Sequence, residues 1–309
     1  MDLRPYEVPD SISQSIQTVA DGGPKWYQPF IFNQKVITGT EPMWNAGVDA
    51  NTLFCTENDE FHLQNVFLRE ALSLGSYYHG LVDMIEAILG NSFKDSSFLD
   101  VGCNVGHFGF DLASRGATEI TGVDVMPQSY DIVREITSLR FNYINSLYSE
   151  RTHRVEGVEP ADVSFAIAIS THLCDPHYFL AWMAENTRKM MLVVTPVAQA
   201  EGSQFMARQP NWRTDRALPH CYELVPTPTL LQNMLRFCGF THVYRLNPND
   251  RWPANIRKYW GGYLVSKEAD LVSDDILESF NLTEMPDLRD ESADVVVAGQ
   301  HSRPKSWNL

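Results

Sequence analysis

The residues of this 309-residue chain whose types and spacing suit chemistry begin at Asp100. The run Phe98-Leu99-Asp100-Val101-Gly102-Cys103-Asn104-Val105-Gly106-His107-Phe108-Gly109-Phe110 takes apolar residues into a carboxylate, then a glycine-spaced turn, then an apolar-periodic segment. It reads as a strand, a tight turn and a helix start. Glycines at 102 and 106 let backbone pass close to a ligand, since a Cβ there would collide with it. The helix that follows points its free N–H groups and positive dipole end over the turn. A second apolar run, Glu119 to Met126, holds another carboxylate, Asp124, 24 residues after Asp100. An acidic residue about 20 residues past such a turn is placed to accept hydrogen bonds from ribose hydroxyls. The structural alternatives are a plain strand–helix turn at 102–106 and a cap or turn role for Asp124.

Further polar residues fall where later strands should end. Ile169-Ser170-Thr171-His172 closes one strand, and ligands of open α/β sheets collect at the carboxyl ends of strands. His172 is a candidate general base, with Thr171 beside it, because imidazole titrates near neutrality; the alternative is a wall residue held by hydrogen bonds. Asp175-Pro176 reads as a helix N-cap with proline in the first turn. Val193-Val194-Thr195-Pro196 ends the next strand, and Gln204 and Arg208 follow it. Arg208 is a fork suited to a substrate carboxylate, or else a solvated or ion-paired arginine.

The elements that must position these residues alternate. Strands are expected near 97–101, 119–124, 141–145, 163–169, 190–195, 241–246 and 293–299. Helices near 107–115, 128–139, 177–187 and 227–238 separate most of them. This is the pattern of a parallel α/β sheet with helices on its faces. Residues 1–90 read as a mostly helical cap segment with an aromatic strip, with helical periodicity over 61–74 and 81–89. The domain proper spans 91–309, interrupted by long stretches at 198–223 and 247–291, which read as lids or binding segments.

The bulk numbers exclude some classes. Net charge is −15, with no dense Lys/Arg cluster, which argues against a nucleic-acid substrate and for a small molecule. No apolar run approaches the roughly 18–20 residues that span a bilayer, and no signal peptide is visible at the start. The five cysteines, at 55, 103, 174, 221 and 238, have no metal-ligand spacing; no metal site is expected, and they read as reduced thiols of a cytoplasmic protein. The sequence leaves self-association into a homo-oligomer open.

The pattern D-x-G-C-x-x-G followed by G-x-D resembles the class I S-adenosylmethionine-dependent methyltransferases rather than the dehydrogenases, whose turn is G-x-G-x-x-G. The resemblance implies a Rossmann-like sheet of seven strands with the last antiparallel. It implies S-adenosylmethionine as cofactor, with Asp100, Gly102, Cys103, Asn104, Gly106 and Ser170 around its methionyl end, Asp124 on the ribose and Val125 and Met126 along the adenine. Aromatic faces attract a sulfonium and exclude water. Trp26 and Tyr27 are therefore candidates to cover the cofactor, and Phe30, Trp212, Tyr259 and Trp260 to line the acceptor site with Gln204 and Arg208.

The layout over roughly residues 24–304 is also similar to the tRNA wobble-uridine carboxymethyl-transferring methyltransferases. Trp26-Tyr27 with Ile31 to Thr38-Gly39 matches their lead segment, Thr171-His172 and Pro176 their L-Y-H-x-x-x-P, and Phe237-Cys238-Gly239-Phe240 their C-G-F. Where that group has tyrosine to read an extra cofactor carboxylate, this chain has Thr171, which favours ordinary S-adenosylmethionine. The general layout also resembles the bacterial methionine S-methyltransferases. A thioether carries no proton, so its methylation needs no base. The resemblances together imply a methyltransferase for a small, amino-acid-like or carboxylate-bearing acceptor, including methionine sulfur, with a tRNA enzyme and a non-catalytic cofactor-binding protein as alternatives.

Overall fold

The structure, a computed structural model, describes residues 30–32, 35–38, 54–56, 66–137, 139–208, 223–249 and 252–286. Three short antiparallel strands, β1 (Phe30–Phe32), β2 (Lys35–Thr38) and β3 (Phe54–Thr56), form a small sheet in that order. Helix α1 (Val66–Leu89) and a 3-10 turn (Gly90–Asp95) lead into β4 (Ser97–Val101), α2 (His107–Ser114), β5 (Glu119–Asp124), α3 (Pro127–Thr137) and β6 (Asn142–Asn145). Next come β7 (Ala161–Ile167), a 3-10 turn (Ser170–His172), α4 (Pro176–Glu185) and β8 (Thr187–Pro196). The hairpin β9 (Phe205–Arg208) and β10 (Glu223–Pro226) precedes α5 (Pro228–Phe237), β11 (His242–Leu246), α6 (Ala254–Tyr259), β12 (Trp260–Ser266), α7 (Asp274–Ser279) and β13 (Leu282–Glu284).

Among the described residues the main sheet has eight strands in the order β13-β11-β12-β8-β7-β4-β5-β6. The pairs from β6 to β8 are parallel, and β12 runs antiparallel between β8 and β11. The middle of a central strand, Met190–Val194 of β8, is apolar at every position because both faces are covered. In β8, Met190, Leu192 and Val194 pack with α1 and α2, while Met191 and Val193 pack with α4 and α5. The period of two thus divides one strand between two cores.

Three readings need correction. Two strands, β12 and β13, run against the parallel set, and both lie inside the stretch taken for a lid at 247–291; the strand expected at 293–299 lies outside the described residues. Gly261 and Gly262 disguised β12, yet both are built in: a Cβ would sit 2.9 Å from Val197 and 3.2 Å from Leu246. Among the described residues the sheet has eight strands where seven were expected, because β13 adds an edge beside β11. The two helical patterns before residue 90 are one helix, α1. Leu74, Tyr77, Tyr78, Leu81, Val82, Ile85 and Leu89 keep its apolar face continuous past Gly75 and Gly80. That face belongs to the sheet core, so a boundary at residue 90 cuts through one packed layer.

The caps follow their residue types. Asp175 accepts from the Tyr178 N–H at 3.5 Å with Pro176 in the first turn of α4, and Thr227 accepts from the Leu230 N–H at 3.3 Å ahead of Pro228 in α5. Of the cysteines, Cys103 and Cys238 are free, but Cys174 is disulfide-bonded, so the expectation of reduced thiols fails there. Cys174 is exposed just beyond the 3-10 turn, where a second sulfur can reach it, and no C-x-x-C spacing announced the bond.

Candidate active site

The two carboxylate-tipped strands, β4 and β5, are neighbours, with Asp100 opposite Gly122 and Val101 opposite Val123. Past β4 the chain turns back on β5: the Gly102 and Cys103 N–H groups both donate to the Val123 carbonyl, at 2.8 and 3.1 Å. The turn closes with the Gly106 N–H on the Cys103 carbonyl at 2.8 Å, and α2 starts there. Gly102, Asn104 and Gly106 have φ of +77°, +52° and +93°, which glycine and, less readily, asparagine adopt.

The glycines make room for the protein's own side chains. A Cβ on Gly102 would stand 2.5 Å from Ile169 Cδ1, and one on Gly106 would overlap the Phe141 ring. The same ring stands 2.6 Å from a Cβ placed on Gly109 and 2.7 Å from one on Gly122. Phe141 therefore wedges into a notch cut by three glycines from three segments. It docks the start of α2 onto β5.

Asp124 closes over the turn. Its Oδ2 accepts from the Asn104 N–H at 2.8 Å and its Oδ1 from the Val125 N–H at 2.6 Å. Val125 is 48% exposed and Met126 half-buried; the Asn104 amide nitrogen lies 3.1 Å from the Met126 sulfur. Asp100 is 3% exposed, and its Oδ2 has no hydrogen-bond partner among the described residues; nor does the buried Oδ1 of Asn104. Burial, and then the nearby Asp124, pushes the Asp100 carboxyl up to about 8. Burial, with Asp100 and Asp124 adding to it, also pushes the Cys103 thiol up. A cation bound here would relieve the strain between the carboxyls.

At the ends of β7 and β8, Ser170 and Thr195 share a buried hydrogen bond of 2.8 Å. Ser170 thus ties two strand ends together. Thr171 is buried, while His172 is half-buried. Trp260 pairs with Pro196 and the Tyr259 carbonyl accepts from the Val197 N–H, so both aromatics stand at the carboxyl end of β8. Gln204 is exposed, bound to Thr227 through its N–H and to the Glu201 carbonyl through its amide. Phe30 lies in β1 and Arg208 ends β9, but their side chains lie outside the described residues, as do Trp26, Tyr27 and Trp212 altogether. A cavity of about 350 Å³ opens at the opposite edge of the strands, lined by Ser97, Glu119, Asn142 and Arg188 among others; none of these candidates reaches it.

Phe141 and Tyr143 of the site went unnoticed in the sequence. Phe141 immediately precedes β6 and Tyr143 lies within it, and only the sheet order puts that strand beside β5.

No family model matches the chain. The N-terminal domain of EvdMO1, solved with SAH bound, superposes with a TM-score of 0.53 at 14% identity, covering 86% of this chain and all of that one. The same domain with SAH and D-fucose gives 0.51 at 12%, with the same coverage. In sequence, the tRNA U34 carboxymethyltransferase of Aliarcobacter butzleri (strain RM4018) is 24% identical over 160 residues, and the match spans 49% of each chain. The likeness and the strand order together show a Rossmann-like α/β fold, shared with a domain solved with SAH bound.

Proposed function

We propose that this chain is an S-adenosylmethionine-dependent methyltransferase acting on a small, carboxylate-bearing or amino-acid-like acceptor. One observation carries the reading. Two buried acceptors without partners, Asp100 Oδ2 and Asn104 Oδ1, flank a turn that faces the carboxylate of Asp124. A buried acceptor left unmade costs about 1–3 kcal/mol, so a ligand bearing donors and positive charge suits the turn. The cofactor has both: an α-ammonium for Asp100 and Asn104, and ribose hydroxyls for Asp124. Val125 and Met126 would border its base.

When bound, that group supplies an electrophilic methyl on a sulfonium. The chain's task is to align an acceptor lone pair with it and to keep water out. The Ser170–Thr195 bond fixes the two strand ends beneath the transfer site. His172 would take the proton of an oxygen or nitrogen acceptor; a thioether acceptor, as in methionine, would need no base. Thr171, beside His172 on the same 3-10 turn, would help hold the acceptor.

A second reading, transfer to a tRNA wobble uridine, is favoured by the likeness to the Aliarcobacter butzleri enzyme. The charge of −15 opposes it, because a tRNA must be met by cations that displace its counterions. The deciding experiment is turnover of S-adenosylmethionine against amino acids, thioethers, hydroxy acids and tRNA, read by mass. Methylation of a small acid supports the first reading, and a salt-sensitive tRNA product replaces it with the second. Histidine 172 is tested alongside: His172→Ala should abolish transfer to oxygen or nitrogen and only slow transfer to sulfur.

A further inference from the structure

Tyr143 sits at the centre of β6, opposite Gly122. Its hydroxyl makes two hydrogen bonds. It accepts from the Met126 N–H at 3.0 Å and donates to the Asn104 carbonyl at 3.3 Å. Asn104 belongs to the turn after β4, and Met126 to the turn after β5. A single oxygen thus joins the two loops between which an adenosyl group would lie.

The ring is held for this task. It stacks on Tyr130 with centroids 4.5 Å apart and planes 19° apart, and Tyr130 in turn packs on Phe110 and Phe141. Burial, with Cys103 and Asp124 adding to it, pushes the phenol up, so the hydroxyl keeps its proton and stays a donor. Two further braces link the loops: the Asn104 amide nitrogen on the Met126 sulfur at 3.1 Å, and the Asn104 N–H on Asp124, which runs through the carboxylate assigned to the ribose. The Tyr143 bridge touches neither carboxylate and is independent of what Asp124 binds.

We propose that Tyr143 is a positioning residue of the cofactor site, holding the glycine turn and the Met126 turn at the spacing an adenosyl group requires. The proposal rests on the cofactor reading above, and the test separates the two. Tyr143→Phe keeps the ring and removes both hydrogen bonds. Tyr130→Phe removes a hydroxyl from the same stack, one that donates to the Phe141 carbonyl at 2.7 Å and joins neither loop to the other. S-adenosylhomocysteine is titrated calorimetrically into the full chain and both variants, and each is melted without ligand. Tyr143→Phe should raise Kd by about tenfold, the loss of roughly one net hydrogen bond. Tyr130→Phe should lower the melting midpoint with Kd unchanged. In turnover, Tyr143→Phe should raise KM for S-adenosylmethionine and spare kcat. An unchanged Kd in a folded Tyr143→Phe protein, or an equal rise in both variants, overturns the proposal. Failure of the unaltered chain to bind overturns the cofactor reading instead.

Discussion

Gly109 offers a test in which two effects of known sign oppose each other. It is a buried glycine inside helix α2, where alanine is ordinarily better by about 0.8–1.0 kcal/mol. The Phe141 ring stands in the way, 2.6 Å from where a Cβ would be, against the roughly 3.5–4.0 Å at which carbons attract. Overpacking of this kind costs about 1–3 kcal/mol. The clash should outweigh the propensity, so Gly109→Ala should destabilise by about 1–2 kcal/mol in urea denaturation. In a Phe141→Ala background the obstacle is gone, and the same substitution should stabilise by up to about 1 kcal/mol. The sign change is the signature, read as a coupling of roughly 2–3 kcal/mol in the double-mutant cycle. If Gly109→Ala raised stability in the unaltered protein, the wedge between α2 and β5 would not exist as described.

Other outcomes follow from the buried polar groups. Arg115, its side chain fully buried, joins Asp111 on α2 to Asp83 and Glu86 on α1 at 2.9, 2.6 and 2.6 Å. Arg115→Met should cost about 3–5 kcal/mol by leaving Asp111 buried with a partner removed. Burial pushes the Asp111 carboxyl up, but hydrogen bonds from His79 and Arg115 hold it below the ordinary carboxylate range. A depressed folded value gives stability that is present above the unfolded pKa of about 3.9 and is lost as pH falls through the folded one; acid melts should show that loss shrinking in Arg115→Met. Asp100 has the opposite sign: raised to about 8, it lowers stability as pH climbs from the ordinary carboxylate value toward 8. Asp100→Asn should therefore melt higher than the unaltered chain at pH 9, by on the order of 2 kcal/mol, while weakening S-adenosylhomocysteine binding. Ser170→Ala strands the Thr195 hydroxyl and should cost about 1–3 kcal/mol, whereas Ser170→Ala with Thr195→Val should recover most of it in thermal melts.

The legible parts of this molecule are those governed by local pattern. Strands β4 and β5 occur where apolar runs end in Asp100 and Asp124, and α4 begins where Asp175-Pro176 caps it. The turn between Asp100 and Gly106 could be read because its residue types are unusual in sequence. Contacts set by sheet order could not. Phe141 fills a notch made by glycines up to 35 positions away, and Tyr143 meets Asn104 only because β6 lies next to β5. Strand β12 was hidden by its paired glycines and by the Trp-, Pro- and Asp-rich chain around it. Thr171 and Ser170 were expected at the site from their position at a strand end; the sequence did not announce the bond between Ser170 and Thr195, which depends on β7 lying beside β8.

The central claim is that the Asp100–Gly106 turn and Asp124 hold an adenosyl cofactor, and calorimetric titration with S-adenosylhomocysteine tests it most directly. The unaltered chain should bind one equivalent, and Asp124→Ala should bind more weakly by about 1–3 kcal/mol, the loss of charge-assisted hydrogen bonds. No heat of binding in the unaltered chain, or equal affinity in a folded Asp124→Ala protein, would contradict it.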